Sequence, residues 1–383
     1  MIIKKTCTPE SHFSAERFSV TYRLFGGEKE ARARAEDICI EQTVEFPAEE
    51  VPEGVIRDHV FGRIETFLPW GADSFKAIIS YANELVAGEL TQFLNIMFGN
   101  ISIKPGIRVE HLDLPESLLR GYKGPRFGRQ GIRSLLRVEG RPLLSTALKP
   151  MGLSPKELAG LAYRFVLGGI DIIKDDHGLT DQRCAPFEER VVCCAEAVQR
   201  ANQETGRHTL YAANITAPHR EVMKRARRAK SAGAGGLMVA PGLVGYDLMR
   251  ELADDDTIAL PILAHPAFQG SFVTSRNGLS HGVLFGQLAR LAGADATIFP
   301  NFGGRFSFSR EECREIAGAT GEPMGRLKAI FPAPGGGMSL DMVPDMLETY
   351  GQDLIFLIGG GLFRHGPDLA ENCRYFRKMV EKL

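Results

Sequence analysis

The chain has 383 residues, which predicts two or three domains, and its 44% hydrophobic and 24% charged residues exclude a disordered or fibrous protein. Its formal net charge of −1 gives no overall attraction for nucleic acid or anionic lipid, so neither partner is expected. The apolar stretches are far shorter than the ~20 residues that span a bilayer, and residues 6–10 are polar where a secretory signal needs an apolar run, so we expect a cytoplasmic protein without membrane contact.

Residues 1–125 predict a small α+β domain. The predicted elements are a strand near 18–24, a helix near 31–42, a strand near 60–67 and a helix near 74–94. Prolines at positions 105 and 115 fall in a connecting stretch. The boundary to the next domain is therefore expected around 125–140.

From residue 143 onward the chain repeats one pattern, in which a short apolar strand ends in a Gly, Pro or charged cluster and an amphipathic helix follows. In the first repeat, Ser154 and Pro155 supply an N-cap and a first helical residue. The strands are predicted at 143–148, 171–174, 209–214, 236–240, 260–265, 296–300, 327–331 and 353–358. Eight apolar strands alternating with helices predict a (β/α)8 TIM barrel, which we assign to residues 126–383.

Charged side chains appear where the barrel strands stop, at the end that carries catalytic residues in this fold. Lys149 follows the first strand, Lys174 and Asp176 share one face at the end of the second, and His177 comes next in the chain. His265 ends the fifth strand. An alternative interpretation is an internal ion pair of Lys149 with Asp176, with Asp175 and His177 merely solvated.

We prefer a functional interpretation of this cluster, because two lysines and carboxylates at one barrel mouth are unusually polar for packing alone. Carboxylate oxygens are ligands that Mg²⁺ prefers. A bound Mg²⁺ polarises a carbonyl, and a neighbouring lysine then serves as general base or electrophile. The cluster therefore predicts enolisation chemistry.

Glycine triplets follow the seventh and eighth predicted strands, at 335–337 and 359–361. Glycine lets backbone amides approach an anion closely, and the loops after strands seven and eight form the usual phosphate site of such barrels. Arg305, after the sixth strand, is placed to reach the same anion. The substrate is therefore expected to carry a phosphate.

Two motifs resemble the large chain of ribulose bisphosphate carboxylase, and more closely its non-carboxylating relatives, the RubisCO-like proteins. They are Thr-Ala-Leu-Lys-Pro at 146–150 and Gly-Gly-Ile-Asp-Ile-Ile-Lys-Asp-Asp at 168–176. The resemblance spans most of the chain. It implies a ferredoxin-like N-terminal α+β domain, a C-terminal (β/α)8 barrel, and a homodimer, or a multiple of dimers, with active sites between subunits.

The resemblance also implies roles for individual residues. Lys149 matches the catalytic lysine of the first strand, and Lys174 the lysine that CO2 carbamylates to make a Mg²⁺ ligand. Asp176 is implied as a second metal ligand, and His265 matches the fifth-strand histidine. Asn100 matches the asparagine that reaches the active site of the opposite subunit. The matching phosphate-binding glycines are Gly336, Gly337, Gly360 and Gly361.

Departures from the carboxylase pattern are as informative as the matches. Met151 stands where the carboxylase has a second lysine, His177 replaces a glutamate metal ligand, and Pro266 replaces an arginine. The missing groups handle CO2 addition and the second phosphate. We therefore expect that the protein does not fix CO2, and that His177 alters the affinity for the metal, since imidazole suits a softer metal than Mg²⁺.

Our leading hypothesis is an Mg²⁺-dependent enzyme that enolises a phosphorylated ketose or methylthio-sugar phosphate, as an isomerase or tautomerase. The base is Lys149 or the carbamate on Lys174. Decarboxylation of a phosphorylated 3-oxo sugar acid is an alternative, because it yields the same kind of stabilised enolate. A non-catalytic ligand sensor or scaffold is a second alternative.

Overall fold

The computed structural model describes residues 13–382, which form two compact units. The first unit contains the described residues up to Tyr122, together with Ser271–Leu284 and Pro323–Arg326. The second contains Lys123–Gly270, Phe285–Glu322 and the residues from Leu327 onward. No helix within residues 13–382 is long and apolar enough to cross a membrane.

Strands and helices are numbered in chain order through both units. The strands are β1 Arg17–Phe25, β2 Arg63–Pro69, β3 Ser74–Ala82, β4 Ile107–Asp113, β5 Leu143–Leu148, β6 Ile172–Asp175, β7 Leu210–Asn214, β8 Gly236–Val239, β9 Ile262–Ala264, β10 Gly278–Leu279, β11 Ala296–Pro300, β12 Phe331–Gly335 and β13 Ile355–Leu357. The α-helices are α1 Glu28–Glu41, α2 Leu90–Phe98, α3 Glu116–Leu119, α4 Gly128–Leu136, α5 Pro155–Leu167, α6 Phe187–Thr205, α7 His219–Ser231, α8 Pro241–Val244, α9 Tyr246–Asp254, α10 Gly270–Val273, α11 Leu288–Leu291, α12 Arg310–Gly321, α13 Val343–Tyr350, α14 Gly360–Arg364 and α15 Leu369–Glu381.

The first unit is built on a five-stranded sheet with the order β10-β4-β1-β3-β2. Strands β4, β1, β3 and β2 pair antiparallel, whereas the short β10 pairs parallel with β4. Every second residue of β1 is buried, which gives the sheet one apolar face. The chain order of these strands with α1 and α2 is the βαββαβ arrangement of ferredoxin-like domains, as expected.

The predicted helix at 74–94 is wrong in its first half. Residues Ser74–Ala82 form β3, which lies between β1 and β2, and the helix α2 begins only at Leu90. Burial does not alternate at the end of β3, because every residue from Ile79 to Ala82 is buried. Such a run cannot be told from a buried helix by periodicity alone.

The second unit is the predicted barrel. Its eight strands run parallel in the order β12-β11-β9-β8-β7-β6-β5-β13, and the two ends of this order, β12 and β13, lie against each other. The helix α5 begins with the predicted cap, because Ser154 and Glu157 form a capping box and Pro155 is the first helical residue. The expected α/β class, with a TIM barrel after a ferredoxin-like domain, is confirmed.

The seventh barrel strand begins four residues later than predicted, at Phe331 rather than 327. Two prolines, Pro332 and Pro334, argue against a strand because they cannot donate to a ladder. In β12, however, the backbone amide of Phe331 donates to Asp295 O on the side of β11. Successive backbone nitrogens of a strand point to opposite sides, so the nitrogens of Pro332 and Pro334 point towards β13. No amide donor is needed there, because the hydrogen-bonded strand order ends at β12. As a consequence Gly335 belongs to the strand, and the loop starts at Gly336.

Candidate active site

The barrel alternation directs the candidate catalytic side chains into one mouth. Ile172 and Leu263 point inward and belong to the core that fills the barrel. Because strand side chains alternate between faces, Lys174 and Asp176 continue the inward row of β6, and His265 continues that of β9. All of these residues lie at the carboxyl ends of their strands, where such barrels carry their chemistry.

Lys149, at the end of β5, joins this cluster through an ion pair. Its Nζ lies 3.1 Å from Asp176 Oδ1, and His177 Nδ1 lies 3.4 Å from the same oxygen. The His177 ring stacks on the His265 ring, with centroids 4.8 Å apart and planes 10° from parallel. The structure therefore brings together all the strand-end residues selected from the sequence.

Lys174 is the most buried basic group of the cluster. Its side chain is 3% exposed, and Nζ donates a hydrogen bond to Asp175 O at 3.0 Å. Burial of the ammonium lowers the pKa of Lys174 to about 8, although the Asp176 carboxylate opposes this shift. A substantial fraction of Lys174 is consequently a neutral amine near physiological pH.

Asp176 and His265 are each held in a single protonation state. Burial raises the pKa of Asp176, but the hydrogen bond with His177 and the charges of Lys149 and Lys174 outweigh it and hold the pKa well below its usual range. Burial, together with the Lys174 charge, lowers the pKa of His265 to about 2, so its imidazole is neutral. The amide of Ala267 donates to His265 Nδ1 at 3.2 Å.

Asp175 faces away from the mouth, so the alternative interpretation is wrong in placing it in solvent at a loop. Its carboxylate is fully buried and accepts from Arg190 Nε at 3.3 Å, Tyr211 Oη at 2.9 Å and the amide of Asn214 at 2.9 Å. This network ties β6 to α6 and β7. The other part of that alternative, the ion pair of Lys149 with Asp176, is present.

Asn214 is a site residue that the sequence reasoning missed. It ends β7 on the inward row of Ala212, and its Nδ2 donates to His177 O and Leu179 O, both at 3.0 Å. These bonds hold the loop that carries His177. Its position as the last residue of a predicted strand was the signal that could have revealed it.

The glycines after β12 lie against the loop after β11. The amide of Arg305 donates to Gly336 O at 3.0 Å, and a Cβ on Gly337 would lie 3.0 Å from Arg305 N. Gly336 and Gly337 both have φ near +90°, which favours glycine. The Arg305 guanidinium stacks over the Phe306 ring, 5.2 Å from its centroid.

The loop after β13 packs on the same region. Gly360 and Gly361 begin α14, and a Cβ on Gly361 would lie 2.6 Å from Met338 O, in the loop after β12. The loops that follow β11, β12 and β13 are thus joined by backbone contacts that need glycine. Exposed amides at these loops are of the kind that binds phosphate in barrels of this type.

Asn100 belongs to the first unit and has partners of its own there. Its Nδ2 donates to Glu41 Oε1 at 3.1 Å and to Glu45 Oε1 at 3.3 Å. Hydrogen bonds from Lys104 and from Asn100 lower the pKa of Glu41. The side chain of Asn100 is therefore oriented by two carboxylates of its own unit.

The residues at the mouth provide an incomplete metal site in their unmodified form. Within residues 13–382, no group of three His, Cys, Asp or Glu side chains is placed to hold a metal ion. Asp176 and His177 supply one carboxylate and one imidazole. A carbamate on Lys174 would add oxygen ligands, and with it the set fits a hard divalent cation.

Comparisons with known proteins identify the family of this chain. Residues 128–377 match the catalytic domain of the ribulose bisphosphate carboxylase large chain. The chain is 37% identical over 366 residues to 5-methylthioribulose-1-phosphate isomerase of Rhodospirillum rubrum, covering 94% of this chain and 95% of that protein. It is 33% identical over 377 residues to 2,3-diketo-5-methylthiopentyl-1-phosphate enolase of Geobacillus thermodenitrificans, covering 94% of this chain and 90% of that protein.

A solved structure is similar over almost the whole chain. The crystal structure of a RubisCO-like protein from Rhodopseudomonas palustris superposes with a TM-score of 0.88 at 36% sequence identity, covering 96% of this chain and 99% of that one. The similarity includes both the mixed-sheet unit and the barrel. The chain is a RubisCO-like protein and belongs to the ribulose bisphosphate carboxylase large-chain family.

Proposed function

We propose that the protein is an Mg²⁺-dependent isomerase or tautomerase that enolises a phosphorylated ketose, with a methylthio-sugar phosphate as the preferred substrate. The observation that carries this proposal is the cluster of Lys149, Lys174, Asp176 and His265 at one barrel mouth. Relatives named as an isomerase and an enolase of methylthio-sugar phosphates support the substrate class.

Substrate binding in this proposal starts from the phosphate. The backbone amides of Gly336, Gly337, Gly360 and Gly361 and the side chain of Arg305 receive the phosphate oxygens. This places the carbonyl end of the sugar towards β5 and β6, because β13 lies between β12 and β5 in the barrel order. Asn100 of a second subunit completes the site in a homodimer.

The proton transfer is assigned to the lysines. The neutral amine of Lys149, formed when its ammonium gives up a proton, or the carbamate on Lys174 accepts the proton from the carbon next to the substrate carbonyl. The C–H electron pair forms the enediol double bond, and the carbonyl π pair moves to the oxygen, which takes up a proton. A proton then returns to the former carbonyl carbon while the hydroxyl on the other enediol carbon loses its proton and becomes the new carbonyl, so no atoms are gained or lost. Neutral His265 forms a hydrogen bond with a substrate oxygen without adding charge. Asp176, His177 and the carbamate on Lys174 would hold Mg²⁺, which would supply Lewis-acid polarisation of the carbonyl.

The test is solvent exchange of the substrate's α-proton. The protein is incubated in D2O with Mg²⁺, bicarbonate and either 5-methylthioribulose 1-phosphate or 2,3-diketo-5-methylthiopentyl 1-phosphate, and deuterium incorporation is followed by proton NMR. Exchange should occur with the wild type and fall by ~10²–10⁴-fold in Lys149→Ala or Lys174→Ala, whichever carries the base. Wild-type protein that binds these compounds without exchanging their α-protons would contradict catalysis and favour the ligand sensor.

A further inference from the structure

A cavity of about 660 Å³ opens beside the amino ends of β7 and β8, at the end of the barrel opposite the catalytic cluster. Its volume is in the range of small-molecule binding sites. The end of α4, the helix α6 and the turns that lead into the two strands form its wall. The proposed reaction uses none of the side chains in this cavity.

The side chains in this cavity give it a positive charge. Arg137 and Arg207 line it together with the imidazole of His208, and among the described residues no Asp or Glu lines it. A second cavity, which contains two arginines, also contains Glu139 and Asp353, so its charges are balanced. The cavity beside β7 therefore has two guanidinium groups without a carboxylate to balance them, in a chain whose formal net charge is −1.

Arg207 has no hydrogen-bond partner for its Nε atom. This nitrogen is buried, and within residues 13–382 no acceptor is placed to pair with it. A Cβ on Gly169 would lie 3.3 Å from Arg207 Cζ, so the guanidinium packs over the backbone at this glycine. A buried donor without an acceptor is unfavourable. A small rotation of the side chain towards an anion in the cavity would satisfy this donor without breaking any hydrogen bond that Nε makes.

The carboxylates that act on Arg207 already pair with other arginines. Asp171 accepts two hydrogen bonds from Arg141, both at 2.7 Å, and one from Arg377 at 3.3 Å. Glu381 accepts from Arg377 Nε at 2.7 Å. Burial, followed by the charge of Arg377, lowers the pKa of Arg207, and the charges of Asp171 and Glu381 oppose this shift without outweighing it. The three arginines outnumber the two carboxylates, so a bound anion would reduce the repulsion between their charges.

The backbone that carries the two cavity arginines is held in place. Gly206 ends α6 with a φ of +67°, which favours glycine. The side chain of Asn202 fixes the following turn, because its Nδ2 donates to Thr209 O at 2.9 Å and its Oδ1 accepts from the amide of Thr209 at 3.0 Å. Arg137 ends α4, whose Leu136 is part of the barrel core. A held backbone lowers the entropy cost of ordering these side chains around a ligand.

We propose that this cavity is a second binding site, which takes an organic phosphate of about the size of a nucleoside monophosphate. Arg137 and Arg207 hold the phosphate, because a guanidinium presents paired donors that match phosphate oxygens. The cavity has room for more than a phosphate ion, and the amides of Gln199 and Gln203 in its wall offer donors and acceptors to the organic part. This site is separate from the phosphate-binding loops proposed at the other end of the barrel, and it does not depend on the proposed reaction.

Binding of adenosine 5′-monophosphate and of ribose 5-phosphate tests this site. Isothermal titration calorimetry at low ionic strength measures both dissociation constants, with adenosine and inorganic phosphate as the comparison compounds. At least one organic phosphate should bind the wild type at about one molecule per chain, and at least about tenfold more tightly than inorganic phosphate. Adenosine lacks the phosphate and should bind at least about tenfold more weakly than its monophosphate, since charge-assisted hydrogen bonds are lost.

Variants assign the binding to this cavity. Arg207→Gln and Arg137→Gln each remove one guanidinium and should weaken binding of the organic phosphate by at least about tenfold. Arg200→Gln is the matched control, because Arg200 is an exposed arginine of α6 that does not line the cavity, and it should leave the affinity unchanged. Arg305→Gln alters the loop after β11 at the other end of the barrel and should also leave the affinity unchanged.

The outcomes that overturn this inference are specific. A wild type that binds neither organic phosphate overturns it, and so does an unchanged affinity in both Arg207→Gln and Arg137→Gln. Weakened binding in Arg305→Gln alone places the ligand at the catalytic end of the barrel and overturns it as well. If Arg207→Gln does not fold, Arg137→Gln, at an exposed position, carries the test. None of these results bears on α-proton exchange, which tests the proposed function by itself.

Discussion

Lys149 Nζ lies 3.1 Å from Asp176 Oδ1, the oxygen that His177 Nδ1 also approaches to 3.4 Å. Asp176 is the carboxylate assigned to the metal, so a cation and the Lys149 ammonium compete for the same oxygen. A cation bound at Oδ1 would weaken this ion pair. Lys149 therefore has two effects, one on proton transfer and one on metal affinity.

Replacing Lys149 by methionine should separate these two effects. Because the competing ammonium is gone, we expect Lys149→Met to bind Mg²⁺ about tenfold more tightly, which corresponds to about 1.4 kcal/mol. Isothermal titration calorimetry with MgCl2 measures this directly. Lys156→Met removes an exposed lysine from α5 and should leave the affinity unchanged. Equal affinity in wild type and Lys149→Met would show that the ion pair does not compete with the metal.

Carbamylation of Lys174 should accelerate with pH. The neutral amine attacks CO2, a C–N bond forms and one proton is released, so the rate follows the neutral fraction. With a pKa of about 8, that fraction rises about fivefold between pH 7 and 8. Incorporation of ¹³C-labelled CO2 at a fixed CO2 concentration, followed by carbon NMR, measures the rate. Lys174→Arg should give no carbamate signal, and an identical signal in this variant would assign the modification elsewhere.

Burial of the Lys174 ammonium should also cost stability. Its pKa is about 8 when folded and 10.5 in the unfolded chain, so the folded state holds its proton less tightly. Below pH 8 the buried ammonium lowers the free energy of unfolding by about 3 kcal/mol, at ~1.36 kcal/mol per pKa unit. This destabilisation decreases as the pH rises to 10.5. We expect Lys174→Met to raise the free energy of unfolding at pH 7, by urea denaturation in CO2-free buffer. The gain should shrink at pH 9.5; a constant gain would contradict the lowered pKa.

The Asp175–Arg190 pair should be structural rather than catalytic. Both side chains are fully buried, so Asp175→Asn leaves the Arg190 guanidinium without its counter-charge and should lower the free energy of unfolding by about 3 kcal/mol. Glu188→Gln breaks an exposed pair with Arg228 and should cost under about 0.5 kcal/mol. Urea denaturation of both variants gives the comparison. Comparable small losses would show that the buried pair does not hold β6 to α6.

Prediction from the sequence was most successful for the residues at the ends of the barrel strands, because the same physical rule applies to every strand. Strand alternation and the polar carboxyl end of a barrel were enough to select Lys149, Lys174, Asp176 and His265, which the structure brings together. The partners of Asp175 were not predictable in this way. These partners lie on α6 and β7. The periodicity of the sequence shows which side chains of a strand point outward, but not which neighbouring element each of them contacts.

The two elements that were predicted wrongly are β3 and β12. In each of them the local sequence is not typical of a strand. Strand β3 lies between β1 and β2, and its mixed sequence has no clear alternation of apolar and polar residues to separate it from a helix. Strand β12 contains two prolines, which are tolerated because it ends the ladder order of the barrel. Both outcomes depend on the neighbours of the strand, which local sequence does not specify.

The last prediction concerns Asn100, which we propose acts in the active site of a second subunit. In the first unit its Nδ2 donates hydrogen bonds to Glu41 Oε1 and Glu45 Oε1. In a two-fold dimer, each site would then combine Lys174 of one subunit with Asn100 of the other. Asn100→Ala and Lys174→Ala homodimers should each be nearly inactive.

Mixed dimers of these two variants distinguish a shared site from a site within one chain. A heterodimer has one site with both substitutions and one site with neither, and random pairing of an equal mixture makes about half of the dimers mixed. About one quarter of all sites should therefore regain wild-type α-proton exchange. Co-expression with two different affinity tags isolates the heterodimer, and a mixture of Asn100→Ala with wild type controls for dilution. If purified heterodimers regain no activity, Asn100 does not act across the dimer, and its bonds to Glu41 and Glu45 serve the fold of its own subunit.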